Sequence, residues 1–159
     1  MKPKLTFLLA LTLLFLFSGS VYGDDFQDAT DAYDRNDYKT AYKLLLTLAK
    51  QGDVEAQYRL GLLYDDGYEV PQDYKEAVKW WKLAAEQGLE IAQYNLGGMY
   101  YQGKGLPKDY VSAHMWFNIC SPSKDEDCMD NRNIVEKEMT PQQIEKAQEM
   151  ARNWKPTKK

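Results

Sequence analysis

The chain is poor in the residues on which most catalytic and metal sites depend. Its 159 residues include one histidine and two cysteines. A metal site needs clustered histidine, cysteine and carboxylate ligands, and a catalytic nucleophile needs a base within reach. We expect His114, the single histidine, to be exposed or packed at an edge rather than to act as a base. The composition therefore predicts a protein that is not an enzyme and that binds neither a metal nor a cofactor.

Long apolar runs are missing everywhere except at the start of the chain. Lys2 and Lys4 precede an apolar stretch over residues 5–17, and small residues then lead to Gly23. The stretch is shorter than the ~20 residues that a membrane-spanning helix needs, and the pattern is typical of a signal peptide. We expect cleavage after Gly23 and a periplasmic or secreted mature chain, residues 24–159, without membrane insertion. An uncleaved anchor helix is the alternative.

A surplus of positive charge is also missing. The chain has 24 acidic and 20 basic residues and a formal net charge of −4. Loss of Lys2 and Lys4 with the signal peptide leaves 18 basic residues and a net charge near −6. Nucleic acids and anionic membranes attract basic surfaces. The charge therefore argues against a nucleic-acid or membrane partner.

What the chain does contain is a unit written twice with a period of 36 residues. Residues 56–80 read AQYRLGLLYDDGYEVPQDYKEAVKW, and residues 92–116 read AQYNLGGMYYQGKGLPKDYVSAHMW. A fixed period of this size indicates stacked helical hairpins that bury their apolar faces against each other. We predict about eight helices in four antiparallel pairs, arranged as a partial repeat over 24–52, full repeats over 53–88 and 89–124, and capping helices over 125–159.

Glycines recur at the same places in both copies. Gly61 and Gly97 lie inside the apolar stripe of a helix, where glycine costs ~1 kcal/mol, so we expect the backbone of a neighbouring helix to touch there. Gly67 and Gly103 follow the same stripes and are expected to end the helices in the left-handed conformation. These four positions predict where each first helix packs and where it stops.

The second helix of each unit has its own repeated residues. Asp73 and Asp109 stand where a carboxylate can accept hydrogen bonds from the free N–H groups of a helix start. Trp80 and Trp116 follow at helical spacing and are expected to fill the core; stacking on a ligand is the alternative. The repeats thus predict their own helix caps and core.

The repeated pattern A-x-Y-x-L-G-x-x-Y, then G-x-G-L-P-x-D-Y and A-x-x-W, resembles the Sel1-like repeat family, relatives of the tetratricopeptide repeat. The first copy departs from it in having Glu69 for the second glycine of the loop. The ending MTPQQIEKAQEMARNW, residues 139–154, is similar to the closing helix of many secreted bacterial members. The resemblance implies an all-α fold, an α/α right-handed superhelical solenoid of antiparallel helix pairs with a concave face lined by the first helices.

The resemblance also implies a function, because members with signal peptides resemble adaptors of the bacterial periplasm. It implies a non-catalytic protein–protein interaction scaffold of the cell envelope that binds a protein or peptide partner on its concave face. By analogy with tetratricopeptide repeats, the concave positions are Glu55, Tyr58, Arg59, Leu62, Asp65, Ile91, Tyr94, Asn95, Gly98 and Tyr101. Tyr58, Tyr94 and Tyr101 are the expected anchors; the alternative is that these tyrosines only pack between helices.

Cys120 and Cys128 stand one period after Ala84 and Ala92, two small residues that we expect to face each other between consecutive pairs. The two thiols should therefore meet, which in an exported chain predicts a disulfide. The cysteine-rich branch of the family has a C-x7-C spacing, and the resemblance to it supports the pairing. Here the pair is shifted by one residue from the usual positions of that branch.

Two other functions compete with the scaffold. One is a cell-wall or glycan-binding protein that uses surface tyrosines and tryptophans. The other is a weak hydrolase of β-lactam or cell-wall type substrates, an activity with which some cysteine-rich relatives are credited. The chain lacks a paired nucleophile and base, which argues against the hydrolase. The scaffold is the function that the sequence favours.

Overall fold

The computed structural model of the chain describes residues 25–120 and 126–157, which form eight helices and no strand. The expected signal peptide, residues 1–23, lies outside the described residues. The helices are α1 (25–34), α2 (Tyr38–Gln51), α3 (Val54–Asp66), α4 (Tyr74–Glu86), α5 (Glu90–Gln102), α6 (Tyr110–Cys120), α7 (Glu126–Glu136) and α8 (Pro141–Asn153). Within this part of the chain, every helix is too short or too polar to span a bilayer.

The helices stack in chain order, as the repeat predicts. From α2 to α6, each helix packs extensively against the next one. At the first end, Ala29 and Ala32 of α1 are buried in one core with Ala41 and Leu45 of α2. Neighbouring helices thus bury apolar faces that none of them could bury alone. The predicted all-α solenoid of helix pairs is confirmed.

The last two helices depart from the expected fourth antiparallel pair. Both α7 and α8 make their main contacts with α6. Thr140 caps α8 through a reciprocal capping box with Gln143. At the other end of α8, Trp154 packs on Trp116, with ring centroids 6.1 Å apart. The apolar side of α8 therefore covers α6 and closes the array instead of completing another hairpin.

The helix ends of the two full repeats follow the prediction. The side chain of Asp73 accepts hydrogen bonds from two backbone N–H groups at the start of α4, and Asp109 accepts one at the start of α6. Gly67 and Gly103 stop α3 and α5 with φ of 75° and 71°. Only glycine enters this region without a steric cost, which explains the repeated glycines.

Gly61 and Gly97 admit a close neighbour, but the neighbour is an aromatic ring and not a helix backbone. A Cβ atom at Gly97 would lie 2.8 Å from the ring of Phe117, and one at Gly61 would overlap the indole of Trp81. The expectation that a helix backbone touches these glycines was therefore wrong, because the neighbour of each is an aromatic side chain. A flat ring fills the space above the missing side chain, and the glycine's cost in helix propensity is offset by this packing.

The tryptophans that recur in the middle of the second helix of each unit are core residues. Trp80 and Trp116 are both buried, as predicted. The adjacent Trp81 is buried too, and its indole Nε1 donates a hydrogen bond of 3.1 Å to the backbone carbonyl of Tyr58. The indole thus anchors α4 to α3 by packing and by a polar contact.

Two buried glutamines join successive repeats, and the sequence did not single them out. The amide of Gln57 donates to the carbonyl of Ala49, and the amide of Gln93 donates to the carbonyl of Ala85. The distance between nitrogen and oxygen is 3.1 Å in both hydrogen bonds. Each bond satisfies a carbonyl near the end of the preceding helix, where helical partners run out. Both glutamines occupy the same position in the repeated AQY segments, residues 56–58 and 92–94, and this repetition is the sequence feature that could have identified them.

Cys120, the last residue of α6, and Cys128 of α7 form a disulfide. Their Cα atoms are 6.0 Å apart. Both cysteines are buried in a cluster with Phe117 and Val135. The repeat period thus placed the two thiols correctly, and the bridge ties α7 to the end of the repeat array.

Candidate functional site

A groove of about 240 Å³ runs along the face that α3, α5 and α7 form, and we call it the α3–α5 groove. Its lining residues are Leu62, Asp65, Trp81, Tyr94, Asn95, Gly98, Met99, Tyr101, Gln102, Lys104, Phe117 and Asn131. Trp81, Met99 and Phe117 are buried and form an apolar floor. Six of the ten positions predicted for the concave face line this groove, namely Leu62, Asp65, Tyr94, Asn95, Gly98 and Tyr101.

Tyr94 and Tyr101 lie on one side of α5, two helical turns apart, and are held by neighbouring aromatic rings. The ring centroid of Tyr94 is 5.8 Å from that of Phe117, and its hydroxyl accepts a hydrogen bond of 3.3 Å from Asn131. The ring centroid of Tyr101 is 5.8 Å from that of Tyr110. Both side chains therefore line the groove with little freedom left to lose on binding.

Tyr58 does not line the groove. It is half-buried and packs against core residues of α4 and α5, among them Ala92 and Leu96. Burial raises the pKa of Tyr58, and a hydrogen bond with the side chain of Asn95 opposes that rise. Tyr58 therefore packs between helices, as the alternative from the sequence has it, whereas Asn95 lines the groove.

Arg59 and Glu55, also predicted for the partner surface, lie outside the α3–α5 groove. The guanidinium of Arg59 is 5.8 Å from the ring centroid of Phe26 and 5.9 Å from that of Tyr33. This cation–π contact draws Arg59 towards α1. Glu55 is exposed in the first turn of α3. The structure therefore separates these two side chains from the tyrosines on α5.

A second depression, of about 560 Å³, adjoins the groove at the start of α5. The described residues that line it are Gly88, Leu89, Glu90, Ile91, Tyr94 and Asp127. Ile91, another predicted concave position, is 48% exposed. Because Tyr94 borders both spaces, the depression continues the α3–α5 groove past that ring.

Asp65 gives the groove an acidic wall. Burial and the neighbouring carboxylate of Asp66 raise the pKa of Asp65, while the ammonium of Lys104 opposes the rise. The Lys104 ammonium lies 5.3 Å from the ring centroid of Tyr74, at the outer side of the turn. The raised pKa means that the fold solvates and pairs the Asp65 carboxylate less well than water does.

Gly98 is what opens the groove in its second repeat. Among residues 25–120 and 126–157, a Cβ atom there would meet only the side-chain nitrogen of Gln102, at 3.9 Å, so this part of the chain gives no steric reason for glycine. The equivalent residue of the preceding repeat is Leu62. Glycine in a helix interior costs ~1 kcal/mol relative to alanine. At Gly98 no packing contact among the described residues offsets this cost. The missing side chain leaves an open space between Tyr94 and Tyr101.

Gln102, Lys104 and Asn131 also line the groove and were not predicted from the sequence. Gln102 is the last residue of α5 and Lys104 lies in the turn after it, outside the helical stripe that the repeat analogy covers. Asn131 is on α7, which lies beyond the repeated motif. Exposed polar residues in a turn or on a non-repeating helix carry no periodic signal, so only the fold brings them together.

His114 is not a surface residue, and the expectation of an exposed or edge position was wrong. Its side chain is 0% exposed because α7 covers it, and its Nε2 lies 2.7 Å from the carboxylate of Glu136. The imidazole therefore forms part of the packing between α6 and α7. Among the described residues, no three histidine, cysteine, aspartate or glutamate side chains are grouped so that they could hold a metal ion.

Two of the solved structures that this chain resembles are repeat proteins of known fold. A protective antigen present in uropathogenic Escherichia coli strains, which displays an SLR fold, is 34% identical with a TM-score of 0.78, over 85% of this chain and 30% of its own. A Sel1 repeat protein from Oxalobacter formigenes is 28% identical with a TM-score of 0.65, over 77% of this chain and 54% of its own. This chain therefore spans about a third and about half of the two relatives.

Comparison with family models identifies the repeat itself. The Sel1 repeat model matches residues 28–53, 54–89 and 91–119, whereas no curated protein sequence matches this chain. Sel1 repeats commonly mediate protein–protein interactions, and members of the family are generally non-catalytic scaffolds. The three matched segments cover more than half of the chain, which therefore belongs to the Sel1 repeat family.

Proposed function

We propose that this chain is a non-catalytic adaptor of the bacterial cell envelope, working in the periplasm or outside the cell, that binds a segment of a partner protein in the α3–α5 groove. The location rests on the signal-peptide pattern of residues 1–23. The similarity to a protective antigen of uropathogenic strains is in keeping with export. The binding surface rests on one observation above all, the unfilled space at Gly98.

The two adjacent glycines of α5 show why that space points to a ligand. Gly97 is explained by Phe117, whose ring would collide with any side chain there. Gly98 has no such neighbour, and a larger residue would lower the helix cost and fill the groove. A residue that lowers stability at its position without improving the packing is expected at a functional site. We attribute Gly98 to the need for an open groove.

The walls of the groove suit a polypeptide better than a small molecule. Small-molecule sites enclose most of the ligand's surface, whereas this groove is open along one face, with amides and phenols at its rim. Tyr94 and Tyr101 offer large contact areas with polar tips, the chemistry of interface anchors. Their packing on Phe117 and Tyr110 holds them in place before a partner arrives.

The test is retention of envelope proteins by three immobilised forms of the mature chain, wild type, Gly98→Leu and Gln142→Leu. Leucine at position 98 fills the groove and is accepted at the equivalent position 62, and Gln142 is an exposed residue of α8. We expect a partner that wild type and Gln142→Leu retain and Gly98→Leu loses, although Gly98→Leu melts no lower than the other two. Equal retention by the three forms, or binding to insoluble cell wall alone, would overturn the proposal.

A further inference from the structure

We infer that the segment bound in the α3–α5 groove is extended and basic: a stretch of a partner protein that places lysine or arginine side chains against Asp65 and Glu90 while its backbone bonds to amide side chains of the groove. This inference rests on the proposed function and adds the chemical class of the partner. It draws on three observations, the charges along the groove, the amides at its rim, and the apolar patch at its far end.

The charge along the groove is unbalanced in favour of acids. The α3–α5 groove contains Asp65, with Asp66 next to it in sequence, and the adjoining depression contains Glu90. Lys104 lines the groove with its ammonium against the ring of Tyr74, and the ammonium of Lys108 lies at the edge of the groove, 5.9 Å from the ring centroid of Tyr101. The three acids still outnumber these two bases. A basic segment would add the missing positive charge, whereas an acidic segment would meet like charge at both ends.

Asp65 is the strongest of these attractions because of where it lies. It is half-buried, and burial with the repulsion of Asp66 outweighs the help of Lys104, so that the pKa of Asp65 stays above its ordinary value. A carboxylate with too few partners in a partly desolvated wall gains more from an added ammonium or guanidinium than an exposed one does. The carboxylate of Asp65 is therefore expected to determine which segment binds.

The amide side chains argue for an extended segment over a helix. Among the described residues, the amide of Gln102 has no hydrogen-bond partner. The nitrogen of Asn131 donates to the hydroxyl of Tyr94 and to the carbonyl of Asp127, and within the same residues its Oδ1 accepts no bond. An amide can donate and accept at once, as a peptide group does. The backbone groups of an extended segment are free to form such bonds, whereas those of a helix are paired internally.

The far end of the groove offers an apolar contact. Ile91 is 48% exposed and shares its depression with Leu89, Tyr94 and Glu90. A strand rises by ~3.3 Å per residue and alternates its side chains, so an extended chain can set basic and apolar side chains on this wall in turn. The occupant that fits best carries basic residues with at least one large apolar residue between or beside them.

The experiment selects random dodecapeptides displayed on phage with the wild-type mature chain and removes those that also bind Gly98→Leu. The synthetic form of an enriched peptide is then titrated by fluorescence anisotropy, as is a form with glutamine for every lysine and arginine. The paired variants are Asp65→Asn with Glu90→Gln and, as a control with the same change in charge, Glu145→Gln with Glu149→Gln on α8. Thermal melting by circular dichroism verifies that each variant folds.

We expect lysine and arginine to be enriched, and the neutral peptide to bind about tenfold more weakly. The groove variant, Asp65→Asn with Glu90→Gln, should bind the basic peptide more weakly by a similar factor, and its affinity should depend less on salt. The affinity of the α8 control should stay within about twofold of the wild-type value. Groove-dependent peptides without basic enrichment, or with affinities that the groove variant leaves unchanged, would overturn this inference and leave the proposed function standing. Recovery of no peptide that depends on Gly98 would overturn both.

Discussion

At the scale of single residues, Gly97 and Gly98 show that neighbours in sequence can have opposite reasons for being glycine. A Cβ atom at position 97 would lie 2.8 Å from the buried ring of Phe117, whereas one at position 98 would meet, within the described part of the chain, only Gln102, at 3.9 Å. The first glycine serves the fold and the second leaves the groove open. Substitution by the same small side chain should therefore have opposite effects at the two positions.

Gly98→Ala is expected to raise the free energy of unfolding by ~0.5 to 1 kcal/mol, because alanine restricts the unfolded chain and favours the helix. Gly97→Ala is expected to lower it by ~1 to 3 kcal/mol, because the ring of Phe117 must move. Urea denaturation of the two variants beside the wild type measures both changes. A loss of stability in Gly98→Ala would show that the position is not open.

Asp65 is expected to make the folded chain less stable at neutral pH than an amide would. Its pKa is raised above the ordinary value of 3.8, so the folded state holds the proton more tightly than the unfolded state does. Stability therefore falls as the pH rises from 3.8 through the folded pKa, and the deficit persists above it. Asp65→Asn should raise the melting temperature at pH 7, with the gain vanishing below pH 3.8.

Melting curves of wild type and Asp65→Asn between acidic and neutral pH measure this difference. Asp53→Asn is the comparison, because Asp53 caps α3 through a hydrogen bond of 2.7 Å to a backbone N–H and lies outside the groove. That variant should gain nothing at neutral pH. If Asp65→Asn lowered the melting temperature at pH 7, the carboxylate would be a stabilising group and its place in a binding site would lose its main support.

At the scale of elements, the last two helices, α7 and α8, are held against the repeats by different contacts. α7 is tied to α6 by the disulfide between Cys120 and Cys128. α8 is held by Trp154 against Trp116, and the chain after it returns to α4, where Thr157 donates two hydrogen bonds to the carbonyl of Glu86. A disulfide, an aromatic pair and two hydrogen bonds thus hold α7 and α8 in place where a fourth repeat would otherwise pack.

Breaking the disulfide is expected to lower the free energy of unfolding by ~2 to 3 kcal/mol, since the bridge restricts a short loop in the unfolded chain. Urea titrations with and without a thiol reductant measure this effect, and the double variant Cys120→Ala with Cys128→Ala should not respond to the reductant. Mass spectrometry of protein from an oxidising compartment checks the bridge itself. Two free thiols there would contradict it.

Trp154→Ala is expected to lower the free energy of unfolding by ~1 to 3 kcal/mol, because the indole covers Trp116 and closes the core under α8. Lys155→Ala, at the exposed next position, should change it by less than ~0.5 kcal/mol. Chemical denaturation followed by tryptophan fluorescence compares the two. Equal stability of both variants would mean that the end of α8 does not hold the cap in place.

At the scale of the whole molecule, the sequence predicts whatever the 36-residue period repeats. Helix ends, glycine positions and the meeting of Cys120 with Cys128 follow from it because equivalent residues occupy equivalent places. Even Glu69, which stands where the second repeat has Gly105, takes the same left-handed conformation, with φ of 62° against 73°. The local backbone is thus set by the repeat and tolerates a costly residue.

What the period does not repeat was predicted poorly. His114 is buried by α7, and Asn131 of α7 completes the groove, yet α7 lies outside the repeated motif. The analogy with other helical repeats grouped Tyr94 and Tyr101 of α5 with Arg59 of α3, but only the two tyrosines line the groove. The guanidinium of Arg59 lies instead against Phe26 of α1. Contacts at the ends of an array depend on side chains that occur once, which periodicity cannot describe.

The central claim is that the α3–α5 groove, opened by Gly98, binds a partner segment. Its most direct test is isothermal titration calorimetry of the partner segment recovered with the wild-type chain, against wild type, Gly98→Leu and the α8 control Gln142→Leu. We expect Gly98→Leu to raise Kd by about tenfold or more and to leave the melting temperature unchanged or higher, while the control binds as wild type does. The same Kd for all three folded proteins would show that the segment binds elsewhere.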